Sequence, residues 1–338
     1  QGIQGIIGIR GLEGNKGNLW YKILDVIDRK KPQYCLFENV NRLLQSPALE
    51  RGRDFAYMLA SLNDRGYAVE WMVIDASEYG FPQRRKRVFF FCFKKNSKFF
   101  QNYERNNELL LSDAFPFSQS ISDNLNLPFH LGEGSVEDIF KKFNPAPKGT
   151  LSAYKHKSVK KFSNYGICFN REYQTYDIKP SYKGIKKVLK DIVLDEKKID
   201  KDFYVSDNDI KKWKKHKFGG EFQRKSKSGF EYSIKIGKMS LYDDLNEPSR
   251  TILTAEGGRS ASRSKHLIIT KNGKSRRLIP IELERLNMFP DNFTKYGKDK
   301  AGNVYKLLDT KRAFLMGNAL VTGCVTQIGK SLLNRLSH

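Results

Sequence analysis

The sequence has no uninterrupted run of about 18 apolar residues, so no membrane-spanning helix is expected. Cysteine is scarce. Cys35, Cys92, Cys168 and Cys324 are the four, and none forms a Cys-x-x-Cys pair. With only five scattered histidines, the usual zinc-ligand spacings are excluded. Cys35 and Cys92 sit inside apolar runs and read as small buried hydrophobes. That usage fits a reducing cytoplasm. Acid is also short. There are 37 Asp and Glu against 61 Lys and Arg, a net charge of +24 and a pI near 9.7. Such a balance points to a polyanionic partner, nucleic acid first and an acidic membrane surface second.

Proline is missing where one reading would require it. Glycine falls at positions 2, 5, 8, 11, 14 and 17, a strict period of three, yet the first proline is Pro32. A collagen-like helix is therefore excluded. A phosphate-cradling loop is excluded as well, because no strand precedes the glycines.

What is present reads as about two domains. Leu19, Trp20, Ile23, Leu24 and Ile27 have helical spacing. PQYCLFENV reads as a buried strand ending in polar residues. A second helical pattern spans Asn41 to Asn63, interrupted at Pro47 and stopped by Gly66. YAVEWMVID and VFFFCF are strand-like. Helix, strand, helix, strand in this order predicts an α/β fold with a mostly parallel sheet. From about Lys94 to Lys238 the chain is rich in Lys, Asn, Ser and Tyr, densest around KKWKKHK, and reads as a DNA-facing domain. Patterning resumes near Ser240, and a last helix is expected from about Leu320.

Three blocks stand out: Glu38-Asn39-Val40, the QRRKR run from Gln83 to Arg87, and MGNALV from Met316 to Val321. With the basic insert between them, they resemble the C-terminal part of a bacterial DNA (cytosine-5)-methyltransferase. RLIPIELERLNMFPDNF and EPSRTILTAEGG add to the resemblance. It implies a Rossmann-like, S-adenosylmethionine-dependent methyltransferase fold, N-terminally incomplete, with a smaller irregular α+β target-recognition domain. The implied boundaries are 1–98 for the catalytic part, 99–245 for recognition, and 246–338 for the end of recognition plus a helix returning to the catalytic part.

The resemblance also implies roles. In this chemistry a cysteine thiolate adds to carbon 6 of a flipped cytosine, and carbon 5 then takes the methyl group. Glu38 would serve N3 of the base as a proton or hydrogen-bond donor, its pKa raised at a buried strand end. Asn39 would hold the turn. Gln83, Arg85 and Arg87 match the spacing of the basic block. Arg85 is expected to contact the cytosine carbonyl and Glu38, since its planar fork can serve two acceptors. Arg87 would brace the site, and Arg84 and Lys86 would meet phosphate. Gly317, Asn318 and Ala319 would form a turn beside the methyl donor. Thr251-Ile252 would lie next to the flipped base, and Arg250, Arg259 and Arg263 would touch DNA phosphates. The implied partner is duplex DNA, and the setting is a restriction-modification system.

The family's beginning is absent. No Pro-Cys dipeptide occurs, so the family's Pro-Cys-Gln nucleophile block is missing, and so is the FxGxG block for the methyl donor. Cys35 lies inside a strand and cannot act as a loop nucleophile. The expectation is a chain inactive alone. Either it is a piece of a longer enzyme, as the missing initial Met suggests, or it is the recognition subunit of a split enzyme whose partner brings the nucleophile. A decayed protein that only binds DNA is the third reading. GLEGNKGNLWYKI resembles the loop and helix that follow the nucleophile. The glycine period before Gly11 is unexplained beyond the lengthening of a tolerant loop.

Overall fold

A computed structural model describes residues 12, 18–47, 51–101, 114–117, 119–121, 129–131, 135, 162–225 and 231–337. The glycine repeat lies outside the described residues. The chain divides into two compact units. One holds residues 1–75, 86–183 and 327–338, and the other holds 76–85 and 184–326. Among the described residues no helix is long and apolar enough to cross a membrane.

The first unit is built on a six-stranded sheet. Helix α1 (Asn18–Lys30) precedes β1 (Tyr34–Val40), and α2 (Arg53–Asn63) precedes β2 (Tyr67–Asp75) and β3 (Lys86–Lys94). Further strands are β4 (Gln119–Ile121), β5 (Phe129–His130), β6 (Tyr165–Phe169), β7 (Glu172–Tyr176) and β8 (Ile178–Pro180). The sheet order is β1-β3-β2-β6-β7-β5. β2 and most of β3 are buried on both faces, which is why their sequences are nearly continuous apolar runs. Phe55 of α2 fastens the helix to the sheet, edge-on to Trp71 at 5.4 Å and to Phe162 at 5.1 Å between ring centroids. α1 buries Trp20, Leu24 and Ile27 and half-buries Ile23, whereas Leu19 of the expected stripe is 67% exposed.

The parallel sheet is corrected: every pairing in this sheet is antiparallel. β1 and β2 do run the same way, with α2 between them in sequence. However, β3 inserts between them, pairing with both. The link from β2 to β3 is residues 76–85, too short for a crossover helix, so β3 returns antiparallel. β6 and β7 then follow as a tight hairpin on the far side of β2. The 98/99 boundary thus falls inside one compact unit, because β6 hydrogen-bonds directly to β2.

The second unit is made of short elements. It contains α3 (Asp207–Lys217), β9 (Gly220–Lys225), β10 (Glu231–Ile236), β11 (Ile268–Ile269), β12 (Ser275–Arg276), α4 (Pro280–Leu286), β13 (Tyr296–Lys298), β14 (Val304–Lys306) and α5 (Asp309–Asn318). Among the described residues its strands pair as two-stranded ribbons, β9 with β10, β11 with β12, and β13 with β14, and Arg276 of β12 adds a single bridge to Tyr204. α3 begins at Ser206, whose hydroxyl accepts from the Asp209 amide at 3.2 Å. Acids in its first turn and lysines in its last suit the helix dipole. Ile252, Leu278, Leu283, Leu286 and Met316 form the main apolar cluster. The last helix, α6 (Thr322–Ser337), starts in this unit, and residues from 327 belong to the first. There the Arg335 guanidinium lies 5.9 Å from the Phe99 ring centroid.

Candidate functional site

In the first unit, the register of β1 with β3 sets Val40 opposite Arg87 and Glu38 opposite Phe89. Residues two apart on paired strands share a face. Arg87 therefore reaches diagonally to Glu38, with its Nε 2.8 Å from Oε1. Its Nη1 donates to the Lys86 carbonyl at 2.9 Å. Burial draws the Arg87 guanidinium below its ordinary value, against the pull of Glu38. The buried strand end expected for Glu38 is not found. β1 is an edge strand, and Leu36, Glu38 and Val40 alternate onto its exposed face. Asn39 is half-buried, and its side-chain oxygen accepts from the Val40 amide at 2.8 Å.

In the second unit, Gln83 and Arg85 are buried at the centre of a polar network. Residues 82–84 run parallel to 248–250: the Ser249 amide donates to the Pro82 carbonyl at 2.8 Å, and the Arg84 amide to the Ser249 carbonyl at 2.7 Å. The Gln83 side chain donates to Asn287 Oδ1 at 2.9 Å and to the Leu286 carbonyl at 3.2 Å. Its oxygen accepts from the Ile252 amide at 3.1 Å. Arg85 donates to the Ile252 carbonyl at 3.2 Å and to the Gly317 carbonyl at 2.9 Å. Asn287 completes the ring by donating to the Met316 carbonyl at 2.8 Å. Four stretches distant in sequence, around 83, 252, 287 and 317, meet here through hydrogen bonds between their buried polar groups.

The GNA segment differs from a turn before a helix. Gly317 and Asn318 end α5, and Ala319 follows in extended backbone, while the next helix waits until Thr322. Gly317 is glycine for contact, not for a turn. A Cβ there would sit 2.5 Å from the Leu253 carbonyl carbon and the Thr254 nitrogen. Asn318 donates to the Phe314 carbonyl at 3.0 Å, and Ala319 packs on the apolar cluster.

The other named residues are mostly engaged in the protein's own structure. Thr251 donates its hydroxyl to the Arg84 carbonyl. Arg250 grips Asp243 with Nε and Nη2 and adds bonds to the Ser264 and Lys265 carbonyls. Arg259 pairs with Asp202 on the surface, and Arg263 donates to the Gly237 carbonyl. Arg84 bonds the Pro248 carbonyl at 3.1 Å, and Lys86 is exposed.

Sequence reading missed three buried polar sets. Ser249 Oγ lies 2.9 Å from His266 Nε2, and His266 Nδ1 lies 3.0 Å from Glu256. Glu282 takes Arg276 in a two-point bond at 2.7 and 2.8 Å, and also the Leu194 and Ile279 amides. Glu284 takes Arg312 at 2.9 Å and the Asn292 and Thr294 amides. The available signal was Glu282-Leu283-Glu284 beside buried leucines on a short Pro-initiated helix, a polar pair where a core face is due.

None of the thiols stands in a setting that would activate it. Burial pushes the Cys35, Cys92 and Cys168 thiols up, and Cys324 is buried. Among the described residues no group of His, Cys, Asp and Glu could hold a metal ion.

A model of C-5 cytosine-specific DNA methylase matches residues 6–334. The chain belongs to this family. It is a family of enzymes, and type II methyltransferases are among its relatives. The chain is 37% identical over 321 residues to the type II methyltransferase M.Sau3AI of Staphylococcus aureus, covering 93% of this chain and 70% of that protein. It is 32% identical over 100 residues to M.NgoBI of Neisseria gonorrhoeae, covering 28% of this chain and 31% of that protein. Among solved structures, the S. pombe Dnmt2 methyltransferase aligns over 93% of this chain and 70% of its own, at 14% identity and a TM-score of 0.47.

Proposed function

We propose that this chain carries the base-holding and DNA-recognising parts of a DNA (cytosine-5)-methyltransferase of a restriction-modification system, and that the attacking thiolate comes from residues outside these 338. The observation that carries this reading is the Glu38–Arg87 pair at 2.8 Å, which joins two of the three blocks of the family resemblance on adjacent strands. Thiolate addition to carbon 6 drives electron density towards N3 of the pyrimidine. A carboxyl group presented to N3 can donate a hydrogen bond or a proton there. Arg87 orients that carboxyl, and the fork's remaining donors suit the neighbouring ring carbonyl. Glu38 on an exposed strand face is reachable by a base flipped out of a duplex.

In this reading Arg87 takes the part first given to Arg85. Arg85 becomes a positioning residue, fixing 83–85 to the Ile252 and Gly317 carbonyls. Gln83 has the same role. The second unit, with Lys211, Lys212, Lys214 and Lys215 of α3 exposed, would track phosphate.

The methyl donor of the family is S-adenosylmethionine. Of the residues at 317–319, Asn318 is the one with a side-chain acceptor to offer the donor: its amide nitrogen donates to the Phe314 carbonyl, which leaves its exposed side-chain oxygen as an acceptor, while the Gly317 carbonyl accepts from Arg85 and Ala319 is packed. Asn318 would therefore help to hold the donor, and the outside residues that bring the thiolate would supply the rest of its site.

A double-mutant cycle tests the pair. The chain is combined with a separately expressed N-terminal piece of M.Sau3AI, and methyl transfer to DNA is measured for Glu38→Gln, Arg87→Met and both. If Arg87 acts through Glu38, the double variant is scarcely worse than the single variants. Independent, multiplying losses would sink the reading.

A further inference from the structure

Outside every residue given a role above, the second unit carries a small basic ribbon. Residues 295–311 contain five lysines, at 295, 298, 300, 306 and 311, against two aspartates. β13 and β14 pair with Tyr296 opposite Lys306, Gly297 opposite Tyr305 and Lys298 opposite Val304. Strand alternation then places Tyr296, Lys298, Val304 and Lys306 on one face. All four are exposed. On the other face the Tyr305 ring lies against Gly297, where a Cβ would come within 3.3 Å of it. Tyr296 is 57% exposed and Tyr305 is 50% exposed.

The acids do not cancel this charge. Asp299 is spent on the turn, accepting from the Ala301 and Asn303 amides at 2.9 Å and from the Asn303 side chain at 3.0 Å. Gly302 supplies the positive φ, 88°, that the turn needs. Asp309 faces Arg312 at 3.8 Å. The lysines therefore project from a closed, self-supported ribbon. Lys295 lies 5.4 Å from the Tyr296 ring centroid, so a cation also sits over the exposed aromatic.

We propose that the β13–β14 ribbon is a second DNA-contacting element, separate from the lysine-rich recognition segment, and that it takes duplex DNA by its phosphates. Two observations favour this occupant. Lysines on both strands and on the turn form a cluster of one sign, which a polyanion complements and an apolar protein partner does not. A two-stranded ribbon open on both faces is also of a size that the major groove admits. The inference rests on the reading that this chain acts on DNA.

The test uses the full chain and a random-sequence duplex. Binding is measured across a salt series for the wild type and for the triple variant Lys298→Ala, Lys300→Ala, Lys306→Ala. Lysine acylation mapped by mass spectrometry, with and without DNA, gives a readout that needs no variant. The expected result is protection of these lysines by DNA, and a slope of log K against log salt shallower by up to about 2.7 in the variant, since each phosphate contact contributes about 0.9. A wild type that binds DNA with the ribbon lysines still freely acylated, and a variant with an unchanged slope, would overturn the ribbon and leave the DNA reading intact. A wild type that binds no duplex would overturn both. Protection that rises with protein concentration in the absence of DNA would assign the ribbon to a second copy of the chain and also overturn the proposal.

Discussion

Replacing Gly317 by alanine separates two meanings of the GNA segment. If the glycine serves a ligand or a turn, a methyl group costs little when no ligand is bound. If it serves close packing, the fold itself suffers. The added carbon would sit 2.5 Å from two backbone atoms, Leu253 C and Thr254 N, and 2.6 Å from Thr254 Cα. None of these can rotate away. Ordinary contact requires α5 and the 253–254 segment to part by about 1 Å, and overpacking of this kind costs about 1–3 kcal/mol. The same shift pulls on the Arg85–Gly317 bond, a buried charged hydrogen bond worth about 1.5–3 kcal/mol. Against this, alanine in a helix is worth up to about 1 kcal/mol over glycine. The sum is a net loss of about 2–4 kcal/mol, or roughly 5–15 °C in thermal midpoint for a unit of this size. Circular dichroism melts measure it. Gly329→Ala is the internal control, because that helical glycine has open space around its Cβ position. It should leave the midpoint unchanged or raise it slightly. Gly317→Ala melting with the wild type would refute the packing account.

Other perturbations follow from the same geometry. Gly166→Ala would drive a methyl to within 2.1 Å of the Trp71 ring in the first unit's core, and should cost several degrees in the thermal midpoint where the Gly317 loss is confined to the second unit. Glu282→Ala leaves Arg276 buried without its carboxylate and should lose about 3–5 kcal/mol in denaturant unfolding. Burial draws Lys217 from the usual lysine value down to about 8, with Asp243 opposing. Between that value and the unfolded lysine value the unfolded chain binds more protons, so this group makes stability rise with pH from about 8 upward, and Lys217→Met should flatten that rise in pH-dependent melts.

Local pattern was legible in the sequence where one element decides it. The stripe of Trp20, Leu24 and Ile27 marked α1, and Gly66, with φ 78°, marked the stop after α2. Strand direction was not, because it depends on the link between strands. The order of helices and strands suggested crossovers, but the ten residues between Asp75 and Lys86 can only return β3 against β2. β6 and β7 were hidden for a related reason. Each is five residues long in a lysine-rich region, β7 (EYQTY) with no apolar run at all, and only the pairing of β6 with β2, and of β7 with β6, makes them part of a core. At the candidate site, the blocks at 38, 83–87 and 317 were readable as residue types. Which arginine meets Glu38 was not, since that follows from the β1–β3 register and strand alternation. The Ser249–His266–Glu256 set was equally hidden, as nothing local marks a histidine whose partners lie ten and seventeen residues away.

The central claim is that these residues hold the base while the thiolate comes from elsewhere. The most direct measurement is transfer of tritiated methyl from S-adenosylmethionine to duplex DNA, by the chain alone and by the chain with the M.Sau3AI N-terminal piece, each also with Cys35, Cys92, Cys168 and Cys324 changed to alanine. The account predicts no transfer by the chain alone, and transfer in the mixture that survives loss of all four cysteines and vanishes with Glu38→Ala. Transfer by the unaccompanied chain, or a mixture silenced by the cysteine changes while still folded, would contradict it.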